Sequence, residues 1–260
     1  MTNKVTYSAD GDIARLTLNR PDQRNCLDVE TVEGIINGLA AVEDDGSFTA
    51  VTLRGAGGNF SAGADLKMVK GFVEDDDYAG MNEFIGRLHD ATRIMEELDV
   101  PVIAAVKGFA LAGGIEVLLA TDLRIAAESA QIGDQHANFG LVAGGGGTQR
   151  LVRQIDTVVA NDLMFTGRRL SGTEAAEVGL VNRAVPTDEL DEVVTELETT
   201  LSERSRNAAA LTKQLMREGQ TIDLEHGLQL ERHATIPYYF SDDAREGLAA
   251  FSEGRDPEFE

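Results

Sequence analysis

Two glycine-rich segments are where this sequence can do chemistry. GAGGNFSAGAD, residues 55–65, and GFALAGGIE, residues 108–116, each follow an apolar run and precede a helical pattern. Backbone N–H groups at such turns lack intrahelical partners and lie at the positive end of a helix dipole. They can hold an anion or the oxygen of a polarised carbonyl, and glycine lets the backbone approach the ligand closely. The nucleotide-binding alternatives fail on the letters. A dinucleotide fingerprint from Gly55 needs glycine where Phe60 stands, and one from Gly144 needs it where Gln149 stands. No lysine-serine or lysine-threonine pair follows a glycine run, so a phosphate loop fails too. Ser61 lacks the nucleophile-elbow pattern. His226 and His233, seven apart on one helical face, read as helix packing rather than a zinc site, His89 as a surface or rim residue, and Asp75, Asp76 and Asp77 as a solvated loop.

The elements that must position these loops follow from periodicity. Residues 5–8 and 13–18 alternate around Asp10-Gly11-Asp12 and predict an opening β-hairpin. Asp28 stands as the cap of a helix with apolar Val32, Ile35, Ile36, Leu39 and Val42 on one face. A buried strand at 50–53 leads into the first glycine loop. A polar stretch around 74–77 precedes a long helix at 81–98, which Pro101 ends. VIAAVKG is a second buried strand; the second glycine turn then opens a helix at 113–120, followed by a strand at 123–126. From about residue 188 only helical periodicity remains, at 190–201, 208–217, 224–236 and 244–251. This predicts an α/β body with a helical C-terminal part and no linker between them.

At this point the letters resemble a family. LNRPDQRNCLD, GNFSAGADLK, VKGFALAGGIEVLLATDLRIA, FGLVAGGGGTQRL and LMFTGRRLSGTEAAEVGLVNRAVP look like successive signatures of the enoyl-CoA hydratase/isomerase (crotonase) family, in family order. AREGLAAFSEGRDPEF resembles its C-terminal helix. The resemblance implies a spiral of ββα units over residues 1–200 carrying an acyl-CoA site, and a helical trimerisation region over 201–260, as a homotrimer or dimer of trimers. It implies acyl-CoA thioester substrates, with coenzyme A as part of the substrate, no separate cofactor and no metal. The thioester oxygen is expected between the N–H groups of Ala64 and Gly113. Ala62, Asp65, Leu66 and Gly114 match positions around the CoA tunnel, and Arg24 and Lys67 match basic positions near the nucleotide.

The acid–base pair is where the sequence departs from the family. Glu116 matches the first hydratase glutamate, three residues after Gly113 and so about one helical turn from that donor. Its neighbours Ile115, Val117, Leu118 and Leu119 are apolar, which raises a carboxyl pKa and suits proton transfer near neutrality. The second glutamate is expected twenty residues on, where the chain has His136, with Asp134 two residues before it. Imidazole titrates near pH 6.5, so His136 can take over the missing role, or it can serve structurally by bonding a backbone group near the pocket. The expected reaction is hydration of a trans-2-enoyl-CoA to a 3-hydroxyacyl-CoA. Isomerisation on one base, thioester hydrolysis and decarboxylation stay open, as does a non-catalytic CoA-binding or assembly role.

Composition bounds the remaining possibilities. Over 260 residues, 45 Asp and Glu against 23 Lys and Arg leave a net charge of −22. That disfavours nucleic acid and an anionic membrane surface as partners. The basic residues are 18 Arg and only 5 Lys, a balance that suits a halophile's surface, because about 1 M salt screens charge over roughly 3 Å. One cysteine, Cys26, forms no internal disulfide, and the N-terminus lacks a continuous apolar core, so the expected compartment is the cytoplasm.

Overall fold

The computed structural model describes residues 3–259. Its main sheet has six strands in the order β1-β2-β3-β4-β6-β9. These are β1 (Val5–Asp10), β2 (Ile13–Leu18), β3 (Ala50–Gly55), β4 (Val102–Val106), β6 (Leu123–Ala127) and β9 (Arg183–Val185). Only the β1–β2 hairpin is antiparallel; the other neighbours run parallel. A parallel strand is covered on both faces and so reads as a continuous apolar run. VIAAV of β4 is buried at every residue, whereas edge strand β1 exposes its last three.

A second sheet, in the order β5-β7-β8, holds Phe109–Leu111, Gln131–Gly133 and Leu170–Ser171. The chain enters it three residues after leaving β4, and again soon after β6. Each turn of the spiral therefore places one strand in each sheet before a helix. The glycine loops lie on this second sheet. Isolated parallel bridges, Ser61 to Ala110 and Leu27 to Ala64, extend it toward the first loop.

Helix α1 (Val29–Asp45) begins where expected: Asp28 Oδ1 accepts the Thr31 N–H at 2.9 Å, and Val32, Ile35, Leu39 and Val42 are buried. Helix α2 (Leu66–Glu74) stands where sequence periodicity shows only a loop running into polar residues. Asp65 caps it through the Lys67 N–H at 3.1 Å, and Gly71 in its centre obscures the helical signal. Helix α3 (Tyr78–Glu97) starts earlier than its apolar pattern because Asp77 caps it through the Gly80 N–H.

Helix α4 (Gly113–Leu118) is buried throughout. Helices α5 (Gly147–Gln154), α6 (Thr157–Thr166) and α7 (Gly172–Glu177) follow, and then α8 (Leu190–Ser202), α9 (Arg206–Gly219), α10 (Leu224–Tyr238) and α11 (Asp242–Glu253). Glu198 of α8 is buried and bonds Thr52 Oγ1 at 2.6 Å and Arg15 at 2.5 Å, pinning the helix to β2 and β3. Neither α9 nor α10 buries a residue, although Lys213 of α9 reaches Asp122 at 2.7 Å and the carbonyls of Met95 and Val100. Among the described residues no helix is long and apolar enough to cross a membrane.

Candidate active site

From Phe60 to Asp65 the first loop commits all but one of its amides to hydrogen bonds. The N–H groups of Phe60, Ser61 and Ala62 donate to the carbonyls of Lys107, Phe109 and Arg24, at 2.7, 2.8 and 2.9 Å. Gly63 N–H donates to Ser61 Oγ at 3.2 Å, and Asp65 N–H to the Leu27 carbonyl at 2.8 Å. Among the described residues the Ala64 N–H alone in this run has no acceptor. The loop is zipped to β5 on one side and to Leu27 on the other, so this donor cannot turn away.

The second donor opens α4. Gly113 is the first residue of the helix, so its N–H has no intrahelical acceptor. Before it, Ala112 sits at φ 49°, ψ −119°, a conformation that costs an alanine about 1–3 kcal/mol. Its own N–H is fixed to the Gly133 carbonyl at 3.1 Å. This kink brings Gly113 against the first loop: a Cβ on Gly113 would lie 3.2 Å from the Ala64 nitrogen, and one on Gly63 2.9 Å from the Gly113 nitrogen. Two free main-chain donors thus lie side by side, the arrangement that favours a carbonyl oxygen gaining negative charge. No sequence signal marks Ala112, because alanine there gives no hint of positive φ.

One helical turn on, Glu116 is 2 % exposed. Its Oε1 accepts the Gly147 N–H at 2.9 Å. Burial pushes its pKa up, and the Gly147 and Gly145 amides and the charge of His136 oppose that only in part. The loop that supplies those amides passes so close that a Cβ on Gly145 would meet Glu116 Oε2 at 2.8 Å and Leu88 Cδ2 at 2.5 Å. Helix α3 supports the same loop, since His89 Nε2 bonds the Gly144 carbonyl at 2.7 Å. The clamp around Glu116 is a site feature that sequence reading misses, and the four consecutive glycines 144–147 are the signal that points to it.

His136 opens the short helical turn His136–Phe139 that follows β7. Its ring is held by Asp134, which is itself 1 % exposed. Nδ1 lies 2.9 and 3.1 Å from the two carboxylate oxygens, and the His136 N–H donates to Oδ1 at 2.9 Å. Burial pulls the imidazole pKa down, but Asp134 and Glu116 outweigh it and hold it above the ordinary histidine value. Asp134 therefore does more than share a side of the chain with His136, as the spacing allows; it is the ring's partner.

Glu116, His136, Ala64 and Gly113 line one cavity of about 210 Å³. Ala62 and Leu66 line it too, with Val69 of α2 and Met81, Phe84, Ile85 and Leu88 of α3 forming apolar wall. A larger cleft of about 1170 Å³ lies between α9 and the body, but Lys213 and Asp122 there are spent on each other. Four other residues singled out by sequence stand around the smaller cavity rather than in its wall. Asp65 binds Arg20 at 2.9 Å and caps α2, so its carboxylate braces the loop. Gly114 packs so tightly that a Cβ would lie 2.4 Å from the Ser61 carbonyl. Lys67 is exposed at the start of α2. Arg24, at φ 52°, carries its guanidinium 5.4 Å from the Phe109 ring centre, and Arg169 approaches the same ring at 5.5 Å. Among the described residues no three His, Cys, Asp or Glu side chains converge as a metal site.

Known proteins match this sequence and fold over nearly the whole chain. The profile of the family described as Enoyl-CoA hydratase/isomerase matches residues 8–260. The chain is 34% identical over 259 residues to the short-chain-enoyl-CoA hydratase of Clostridium acetobutylicum, covering 97% of this chain and 96% of that one. It is 38% identical to human enoyl-CoA hydratase domain-containing protein 2, mitochondrial, covering 96% of this chain and 86% of that one. The crystal structure of enoyl-CoA hydratase from Bacillus anthracis superposes with a TM-score of 0.93 at 37% identity, covering 98% of each chain. With the spiral fold, the facing amides and the buried glutamate all in place, the chain belongs to the enoyl-CoA hydratase/isomerase family.

Proposed function

We propose that the protein adds water across the α,β double bond of a trans-2-enoyl-CoA, giving the 3-hydroxyacyl-CoA. The observation that carries this reading is the pair of free amides at Ala64 and Gly113 in the same cavity as buried Glu116. As the nucleophile adds, charge collects on the thioester oxygen, and the two donors stabilise that enolate. Losing one such donor typically costs about 3–4 kcal/mol of barrier. Glu116 handles one proton and His136 assists beside it. The apolar wall from α2 and α3 suits an acyl chain, and Ala62 and Leu66 lie along its approach. Arg24, Asp65, Lys67 and Gly114 complete the CoA-binding side, Arg24 and Lys67 as phosphate or adenine contacts and the other two by holding the loops. The reaction needs no cofactor or metal beyond the coenzyme A of the substrate.

Residues 201–260 are assigned to assembly as a homotrimer or dimer of trimers. Residues 1–200 form the catalytic body; Met1, Thr2 and Glu260 lie outside the described residues. Exposed apolar side chains support the assignment: Leu224 and Leu228 on α10, Leu248 and Phe251 on α11. The lone thiol Cys26 is consistent with the cytoplasm.

The test is a panel of CoA esters followed by product mass. Gain of water supports hydration; an unchanged mass with a moved double bond means isomerase, and loss of carbon dioxide means decarboxylase. Loss of CoA is the outcome that the Asp134–His136 pair also suits, since such a pair beside two amides can activate water against a thioester. Tight binding without turnover on any ester would leave a CoA-binding or assembly protein.

A further inference from the structure

We infer that His136 delivers the α-proton from Nε2 as an imidazolium, with Asp134 as the residue that positions it; this rests on the hydratase reading. The geometry leaves one ring nitrogen for the work. Both Asp134 oxygens lie within 3.1 Å of Nδ1, and one of them also takes the His136 N–H, so the ring cannot swing. Among the described residues Nε2 has no partner, and His136 lines the cavity. Glu116 is set up for the opposite task. The Gly147 N–H at 2.9 Å from its Oε1 fixes the carboxylate and offsets part of the burial that raises its pKa, so Glu116 is the group that accepts a proton readily.

The charges around His136 agree. Asp134 faces it from its own segment and Glu116 from α4, both negative. The nearby cation Arg169 is turned to Gln135 Oε1 at 3.0 Å and to Phe109. In a pocket with two carboxylates, an imidazolium offsets one negative charge, and it stands ready to quench the enolate.

The step balances. A water oxygen bonds C3 while Glu116 takes the water's proton; the C2–C3 π pair moves to the thioester oxygen held by Ala64 and Gly113. The enolate then returns that pair to C2, which takes the proton from Nε2 while nitrogen keeps the N–H electrons. The product has gained the elements of water. Glu116 gives its proton back to His136 through solvent, restoring both groups.

The experiment is the pH dependence of kcat/KM for crotonyl-CoA in wild type, Asp134→Asn and His136→Gln, together with NMR titration of the histidine rings. The His136→Gln spectrum assigns the His136 signal by its absence. Wild-type rate should fall on the alkaline side as the imidazolium loses its proton. Asp134→Asn removes a negative neighbour, so both the alkaline limb and the His136 titration should move about one pH unit acidward. His136→Gln should lose that limb and about 10²–10⁴-fold in rate. An alkaline limb that stays put in Asp134→Asn, or survives in His136→Gln, overturns the assignment while leaving hydration intact. A wild-type protein that hydrates no enoyl-CoA overturns the hydratase reading itself.

Discussion

Gly145→Ala isolates the clamp on Glu116. The φ of Gly145 lies outside the left-handed region, so alanine meets no backbone penalty there. What it meets is Leu88 Cδ2 at 2.5 Å and Glu116 Oε2 at 2.8 Å. Ordinary contact needs about 3.4 Å or more, so the carboxylate must retreat by about half an ångström or Leu88 must yield. Leu88 is 3% exposed and has little room. Overpacking of this kind costs about 1–3 kcal/mol, and a chain of this size loses about 2–4 °C of Tm per kcal/mol. Displacement also strains the Gly147 N–H bond to Glu116, and a hydrogen bond to a charged group is worth about 1.5–3 kcal/mol. Expressed as barrier, that is roughly 10- to 150-fold in kcat. Weaker amide support lets burial raise the Glu116 pKa further, so the acid limb of the pH profile should move to higher pH. The control is Gly86→Ala on α3, where a Cβ meets nothing within 4 Å. It should leave kcat unchanged and add about 0.5–1 kcal/mol of helix stability. If Gly145→Ala lowers Tm but keeps kcat within about threefold of wild type and the same acid limb, the clamp does not position Glu116.

Three other outcomes follow from the same contacts. Glu116→Gln should lower hydration about 10²–10⁴-fold while raising Tm at pH 7. The sign follows from the raised pKa: ionising the buried carboxyl costs stability as pH climbs above its unfolded value near 4.5, so the gain should vanish below that pH, and a gain that persists there refutes the cause. Arg20 ties the first loop together through Asp65 at 2.9 Å, Asp28 at 3.2 Å and the Cys26 carbonyl at 2.9 Å. Arg20→Ala should cost about 3–5 kcal/mol in urea unfolding, and Arg20→Lys should not restore it, because an ammonium lacks the fork. For the assembly proposal, light scattering should give about three or six times 27.9 kDa, and Phe251→Glu on α11 should reduce it; a monomeric wild type ends the assignment.

What the sequence makes legible is what local chemistry dictates. Asp28 and its helix, the buried run of β4 and the glutamate behind the second glycine turn all depend on neighbours within a few residues, so spacing alone suffices. What it hides depends on distant backbone. That Ala64 keeps a free N–H is a statement about Lys107, Phe109, Arg24 and Leu27 having consumed the amides around it. The clamp on Glu116 comes from residues some thirty positions away, and the wall of the cavity includes a helix whose central Gly71 dilutes its pattern. Asp65 matches a tunnel position in the sequence, but the partner of its carboxylate, Arg20, lies 45 positions away and no local spacing announces it.

Replacing His136 by glutamate shows how far the two sites, 134 and 136, act as one. Glutamate there would restore the paired carboxylates of the family pattern, but it would stand against Asp134, whose oxygens now lie 2.9 and 3.1 Å from the ring nitrogen. Two carboxylates that close cannot both ionise in a buried site, and the pKa of one rises by a unit or more. Glu116 then faces a second acidic neighbour where it now has an imidazole held above its ordinary pKa. His136→Glu alone should therefore be a poor hydratase, and adding Asp134→Asn should recover at least about tenfold, the equivalent of one pKa unit. The measurement is crotonyl-CoA hydration by the single and double variants at pH 7. Equal rates in the two would mean that Asp134 acts on the site through something other than its charge, and the electrostatic account of the pair would have to go.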